Sequence, residues 1–450
     1  MKLLRCTLMM FAISAIATAQ TKQGDFELDP LPRMAAPPSR VRSVGRKATS
    51  PAVTPCETDI CSTSLPHACL EVKFVETAWR TCISNQGRRG LVLGPTDLRR
   101  TPTAPWMRVL REAGVGDIFV PYHSLPLRLY DMQVASAASL LEVNLGDAGR
   151  EGDVVTLSGH NAPQVVAEFN DRGVAWLCKE SQHMVRRGRE LALWGVFDAQ
   201  NYDFIMDYRL RDDGSIGFRL GATGFNNPYI PPESTTDAHM HTVLWRVDID
   251  LNGAEGDSAK LLTHREGETS LVSTDVEEPF NGGKEGTAVW DPTKFVTVVI
   301  EDEATNAHGN HIGYAIRGMT EGLSRHYGAQ LGLARRELFT QFDFAVTRYK
   351  ATERNRFFSG TWLEPDQYLL GEAPFNGYGV SDAESVMNTD LVLWYRSSVH
   401  HVPHDEDHAP GDPSNLMTGI TLVHWSGFDL EPHNLFDFNP LGGPSRNNCW

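Results

Sequence analysis

Read for the alternation of apolar and polar positions, the chain is a succession of short strands. Glu190–Phe197, Phe204–Arg211, Ser215–Thr223, His239–Asp250, Phe295–Glu301, Leu391–Val399 and Gly419–His424 are rich in β-branched and aromatic residues and bounded by turn residues. Leu70–Thr77, Gly90–Gly94 and Asp117–Tyr122 read the same way. Asp212-Asp213-Gly214, between two such runs, marks a hairpin. Helical spacing is sparse, confined to Pro105–Ala113 and Gly318–Leu333. So many strands with so few helices predict a mainly β protein, a large antiparallel β-sandwich. Composition does not change after residue 70, so 70–450 reads as one domain.

The segment before it is different. Residues 1–19 carry Lys2 and Arg5, an apolar run to Ala15, and Ala17-Thr18-Ala19 before Gln20. These are the three parts of a secretory signal peptide, so the protein is expected to be secreted, extracellular or periplasmic. Residues 20–69 begin as a basic, proline-rich linker, with Pro30, Pro32, Pro37 and Pro38 beside Arg33, Arg40 and Arg42, and end in a cysteine-containing edge. Export changes how the cysteines read. Cys6 leaves with the signal, and Cys56, Cys61, Cys69, Cys82, Cys178 and Cys449 remain. An even number in an oxidising compartment points to disulfides, with local stapling among the four between 56 and 82.

Charge excludes one class of partner. Lys and Arg total 41 against 57 Asp and Glu, a net charge of −16. A chain this acidic is a poor candidate for non-specific nucleic-acid binding, which needs a basic footprint. No internal segment has the ~18–20 apolar residues of a membrane span.

Three short elements carry candidate chemistry. In His239-Met240-His241 the two imidazoles are two residues apart on a strand, so they share a face. Alone, the pair fits either two exposed histidines or half of a metal site, imidazole suiting copper, zinc, iron or nickel. Asp248 and Asp250 share a face in the same way if the strand stays regular. Asn201-Tyr202-Asp203 opens an apolar strand and alone would read as a turn. His400-His401-Val402-Pro403-His404-Asp405-Glu406-Asp407 alone would read as a solvated acidic loop.

In this order the three elements resemble the copper amine oxidases. Asn201-Tyr202-Asp203 is similar to the family's quinone-forming motif, His239-x-His241 to its downstream histidine pair, and His401 before Val402-Pro403 to its third histidine. Gly221-Ala222-Thr223-Gly224, the stretch from Gly427 to Pro440, and Val120-Pro121-Tyr122 extend the likeness from about Trp79 to Pro440. It covers the family's C-terminal catalytic domain; the small α/β domains that usually precede it have no counterpart in the reading.

The resemblance implies an enzyme that oxidatively deaminates a primary amine to aldehyde, ammonia and hydrogen peroxide, using O2. It implies Cu(II) on His239, His241 and His401, with His400 and His404 as the lesser candidates. It implies a topaquinone derived from Tyr202 beside Asn201. Tyr122 would orient the quinone. The proton-abstracting base it implies is Asp147, in Asp147-Ala148-Gly149, with Asp131 as competitor. A second cation, Ca2+ or Mn2+, is implied at Asp248, the Ile249 carbonyl, Asp250, Asp390 and the Leu391 carbonyl, oxygen donors suited to hard ions. A homodimer is implied too. The sequence departs from the family at Asp198, where Thr is frequent, and in a longer step from Tyr122 to Asp147. Two alternatives remain open: a copper-binding sandwich without catalysis, and an oxidase acting on a peptide or protein amine.

Overall fold

The strand from His239 to Ile249 is buried at every position, which is possible only if both of its faces are covered. A computed structural model of the chain describes residues 53–121, 128–130, 140–143, 154–178, 184–199, 202–224, 239–265, 274–291, 295–319, 338–351, 382–402, 407 and 420–442. All fall within one unit, Ser50–Trp450. The expected signal and the linker up to residue 52 lie outside the described residues, as does most of the expected helix Gly318–Leu333.

In chain order the strands are β1 Val53–Pro55, β2 His67–Lys73, β3 Ala78–Asn85, β4 Leu91–Arg99, β5 Met107–Pro121, β6 Arg128–Tyr130, β7 Val154–Val155, β8 Val165–Cys178, β9 Met184–Ala199 and β10 Tyr202–Arg211. There follow β11 Ile216–Gly224, β12 His239–Ile249, β13 Ser258–Arg265, β14 Thr274–Pro279, β15 Gly286–Ala288, β16 Phe295–Thr305, β17 His311–Gly318, β18 Phe344–Arg348, β19 Leu391–His401 and β20 Thr421–His433. The first sheet runs β1-β2-β3-β4-β5-β12-β19-β18-β15, with β6 also on β5; the second runs β14-β13-β16-β17-β20-β11-β10-β9-β8-β7. Only short helical turns interrupt them among the described residues. The antiparallel sandwich expected from the pattern is present.

Strand parity sorts the side chains. Val243, Trp245 and Val247 of β12 join Tyr395 of β19 and Tyr208, Phe218 and Phe428 of the second sheet in one core. Trp245 lies 6.0 Å from both Phe218 and Phe428, and Tyr395 lies 4.4 Å from Phe428. Close packing of such rings contributes beyond the area they bury. The other face of β12 is covered as well: Leu244 packs with Phe119, Val392 and Trp394 against Phe339 and Phe342. Within the second sheet, β20 approaches its neighbour β11 so closely at Gly427 (φ +152°) that a Cβ there would overlap the Phe218 carbonyl oxygen.

One expectation is overturned. Met107–Ala113, expected to be helical, is the first half of β5. Its partner β12 skips Arg111 and Gly116 in register, so β5 carries bulges there. Each extra residue resets the alternation, and the apolar positions Val109, Leu110 and Ala113 take on a helix-like spacing. At the other sheet edge, Cys56–Cys69 and Cys61–Cys82 are disulfides, stapling the first described segment to the β2–β3 hairpin as anticipated. Cys178 is disulfide-bonded too.

Candidate metal centre

His239 and His401 are direct partners across β12 and β19, and His241 lies two residues along. All three sit on the inner face, odd-numbered like Trp245 and Tyr395. Tyr202 opens β10 in the opposing sheet and points inward with Phe204. The four rings therefore meet between the sheets. His241 and His401 are fully or almost fully buried, at 0% and 1% exposure, and Tyr202 and His239 are also buried.

The donor atoms converge. Nε2 of His239 is 3.1 Å from Nε2 of His241. The Tyr202 hydroxyl is 2.6 Å from Nδ1 of His401. Its ring centre is 4.6 Å from that of His241 and 5.4 Å from that of His239. On the far side of His401, Nε2 is 3.1 Å from Oδ2 of Asp407. A carboxylate there accepts a hydrogen bond from Nε2–H, so Nδ1 presents a lone pair that accepts from the Tyr202 hydroxyl. Burial, then the neighbouring imidazoles, push the His241 pKa down to about 3. It is therefore neutral at physiological pH, the ligating form of imidazole.

A second group of donors lies at the other end of β12, about 30 Å along the strand from His239 at the usual rise. Asp248, Asp250 and Asp390 each bring a carboxylate oxygen within 4.8 Å of the others. Burial, then mutual repulsion offset by Arg246, pushes Asp248 up to about 7; burial and Asp390 push Asp250 to about 7. One oxygen of each of the three is buried without a hydrogen-bond partner among the described residues. Arg246 reaches Asp248 at 3.4 Å and Arg111 reaches Asp390 at 3.8 Å, but the three orphaned oxygens are the kind of donor a hard cation takes. Ile249 and Leu391 are direct partners at this point, both buried.

The model of the copper amine oxidase enzyme domain matches residues 170–448. The chain belongs to the copper amine oxidase family. Primary amine oxidase 2 of Arabidopsis thaliana is 25% identical over 282 residues, 57% of this chain and 38% of that protein. The primary amine oxidase of Arthrobacter sp. (strain P1) is 22% identical over 423 residues, 80% of this chain and 58% of that protein. The chain thus spans less than two thirds of the length of these relatives. In fold it is similar to the copper-containing benzylamine oxidase from Hansenula polymorpha, with a TM-score of 0.63 at 17% identity over 82% of this chain and 60% of that one.

The family implies copper and topaquinone, and the donor set fits the metal. With metal–nitrogen bonds near 2.0 Å, two neighbouring imidazole nitrogens on one ion stand about 2.9–3.3 Å apart. The 3.1 Å between the His239 and His241 nitrogens falls in that range. The Tyr202 hydroxyl reaches the third imidazole, 2.6 Å from Nδ1 of His401.

Of the residues singled out in the sequence, the fold brings together His239, His241, His401 and Tyr202 in one place and Asp248, Asp250 and Asp390 in another. His400 is on the opposite face of β19 and exposed. Tyr122, Asp131, Asp147, Asn201 and His404 lie outside the described residues. Asp407 was missed. Its signal was the acidic run after Val402-Pro403, read as solvated loop; the residue itself is buried. Asp198, in place of the frequent Thr, directly faces Asp203 across β9 and β10, and burial together with the Asp198 charge raises the Asp203 pKa.

Proposed function

We propose that this chain is a secreted, copper- and topaquinone-dependent primary-amine oxidase. The observation that carries the reading is the Tyr202 hydroxyl, 2.6 Å from Nδ1 of His401 and enclosed by three imidazoles. His239, His241 and His401 hold the copper, and Tyr202 supplies the ring that becomes the quinone. When bound, copper and quinone accept two electrons from the amine and pass them to O2. Overall, R–CH2–NH2, O2 and H2O become R–CHO, NH3 and H2O2. The amine carbon loses a C–H and its C–N bond, and its two electrons reduce O2 to peroxide.

The remaining roles belong to this chain's side chains. The Asp147 carboxylate takes the proton from the amine-bearing carbon, with Asp131 as its competitor, and Tyr122 fixes the ring orientation. Asp407 keeps the Nε2 proton of His401 in place. Asp248, Asp250 and Asp390, with the Ile249 and Leu391 carbonyls, hold a structural Ca2+ or Mn2+. The disulfides support export to an oxidising compartment. Val402, Ile420 and Leu422, exposed apolar residues beside the metal centre, support a homodimer that covers them.

The test is phenylhydrazine labelling of copper-loaded protein with peptide mass mapping, alongside peroxide release from a simple primary amine. The expected adduct maps to residue 202 and is absent from Tyr202→Phe, which still binds copper. A coloured, peroxide-producing Tyr202→Phe enzyme would refute the assignment. Labelling without peroxide release would leave a quinone protein that does not act on free amines.

A further inference from the structure

On the outward face of the second sheet, remote from the copper residues, Glu277 of β14, Glu301 of β16 and His433 of β20 each bring a donor atom within 4.8 Å of the others. Nε2 of His433 lies 3.2 Å from Oε1 of Glu277 and 3.6 Å from Oε1 of Glu301. The other oxygen of each carboxylate is taken by Lys260 of β13, at 3.4 Å for Glu277 and in a short ion pair for Glu301. The two carboxylates are thus clamped between an ammonium on one side and an imidazole on the other.

The gap that permits this is built into the strand between. Glu301 and His433 are both direct partners of Gly313 in β17. A Cβ at residue 313 would press on the Ile300 carbonyl oxygen and on Glu301 itself, at 2.5 and 3.1 Å. With glycine there, the Glu301 side chain lies over β17 and reaches His433.

We propose that Glu277, Glu301 and His433 form a binding site for a borderline divalent cation of the Zn2+ type. For metal–ligand bonds of about 2.0–2.2 Å, the edges of a tetrahedron are about 3.3–3.6 Å. The two separations from His433 Nε2, 3.2 and 3.6 Å, come within about 0.1 Å of that range. As a hydrogen-bond donor, a single N–H serves one of the two oxygens well; as a ligand nitrogen, Nε2 shares an ion with both. The imidazole selects zinc, cobalt or copper over calcium, which prefers an all-oxygen shell. Lys260 leaves Oε1 of each glutamate free and offsets the charge of the pair. Glu277 and His433 retain 33% and 21% side-chain exposure, so an ion can enter and water can complete the fourth position. The ion would tie β14 and β16 to β20, the strand that runs back past the copper residues.

The experiment uses full-length, copper-loaded protein in excess calcium, which fills the carboxylate site. Zn2+ is titrated by calorimetry, and Co2+ is used as an absorbing probe. Wild type is expected to take up one more equivalent of Zn2+ than either His433→Ala or Glu277→Gln. Only wild type is expected to give the visible bands of four-coordinate Co2+ and a rise in melting temperature with Zn2+. Both variants should keep the wild-type circular dichroism spectrum and copper content. Equal Zn2+ uptake by wild type and both folded variants overturns the proposal, and so does Co2+ uptake without four-coordinate bands. The difference between wild type and variants stands even if the copper reading fails, because copper content is measured separately.

Discussion

Replace Asp407 with alanine and the buried Nε2–H of His401 loses its acceptor. The two atoms are 3.1 Å apart, and both residues are more than nine-tenths buried, so water is a poor substitute. A hydrogen bond to a charged group contributes about 1.5–3 kcal/mol net. Outer partners of ligating histidines typically change metal affinity by about 10–100-fold, or about 1.4–2.7 kcal/mol. The two figures agree, so Asp407→Ala is expected to weaken copper binding by about 10–100-fold. Asn at 407 keeps a neutral acceptor and loses the charge. Charge-assisted bonds are about twice as strong as neutral ones, so its loss should be about half as large in free energy, about 3–10-fold. His400→Ala, on the opposite face of the strand, serves as control and should bind like wild type. Copper affinity is read by competition with a chelator of known strength, after circular dichroism confirms the fold. Wild-type affinity in Asp407→Ala, or a larger loss in Asn than in Ala, would refute the reasoning.

Three further outcomes are expected. Chelator-treated protein should gain thermal stability when Ca2+ is added, by about 2.7 kcal/mol at a hundred times the dissociation constant, and Asp250→Asn should lose the gain; a wild type indifferent to Ca2+ would remove the cation from the Asp248–Asp250–Asp390 cluster. Gly427→Ala must move the Phe218 carbonyl and should cost at least about 1–3 kcal/mol in urea unfolding, with an unchanged midpoint counting against the close approach. Burial, then the hydrogen bond with Asp382, pushes Glu285 from an ordinary 4.5 up to about 8. The folded state therefore holds a proton that the unfolded chain releases above about 4.5, so this group's contribution falls as pH rises and levels off above about 8. The melting temperature of wild type minus that of Glu285→Gln should accordingly fall from pH 5 to pH 8, and a constant difference would refute it.

Much of the sandwich was legible because parity is legible. His239, His241, Val243 and Trp245 share a face by spacing alone, and the fold keeps them there. The hairpin at Asp212-Asp213-Gly214 forms where its glycine adopts φ +85°. Parity fails where a strand carries an extra residue, which is why Met107–Ala113 looked helical. The convergence of the two side-chain clusters needed the family likeness as well, since strand spacing aligns Asp248 with Asp250 but is silent on Asp390, 140 residues later. Asp407 was illegible for a related reason: it follows Pro403 outside any regular strand, so no periodicity says which way it faces.

Strand β12 carries the histidine pair at one end of its inner face, and Asp248 on its outer face at the other. It is zipped along its length to β5 and β19. The two clusters are therefore mounted on one bar, and neither can let go without loosening ladder bonds that the other relies on. Such a strand opens as a unit. Its amides between Thr242 and Val247 should be among the last in the molecule to exchange with deuterium. A cation added to the carboxylate end should slow exchange at the histidine end as well, so a change at one end of the strand arrives at the other as a change in lifetime rather than in shape.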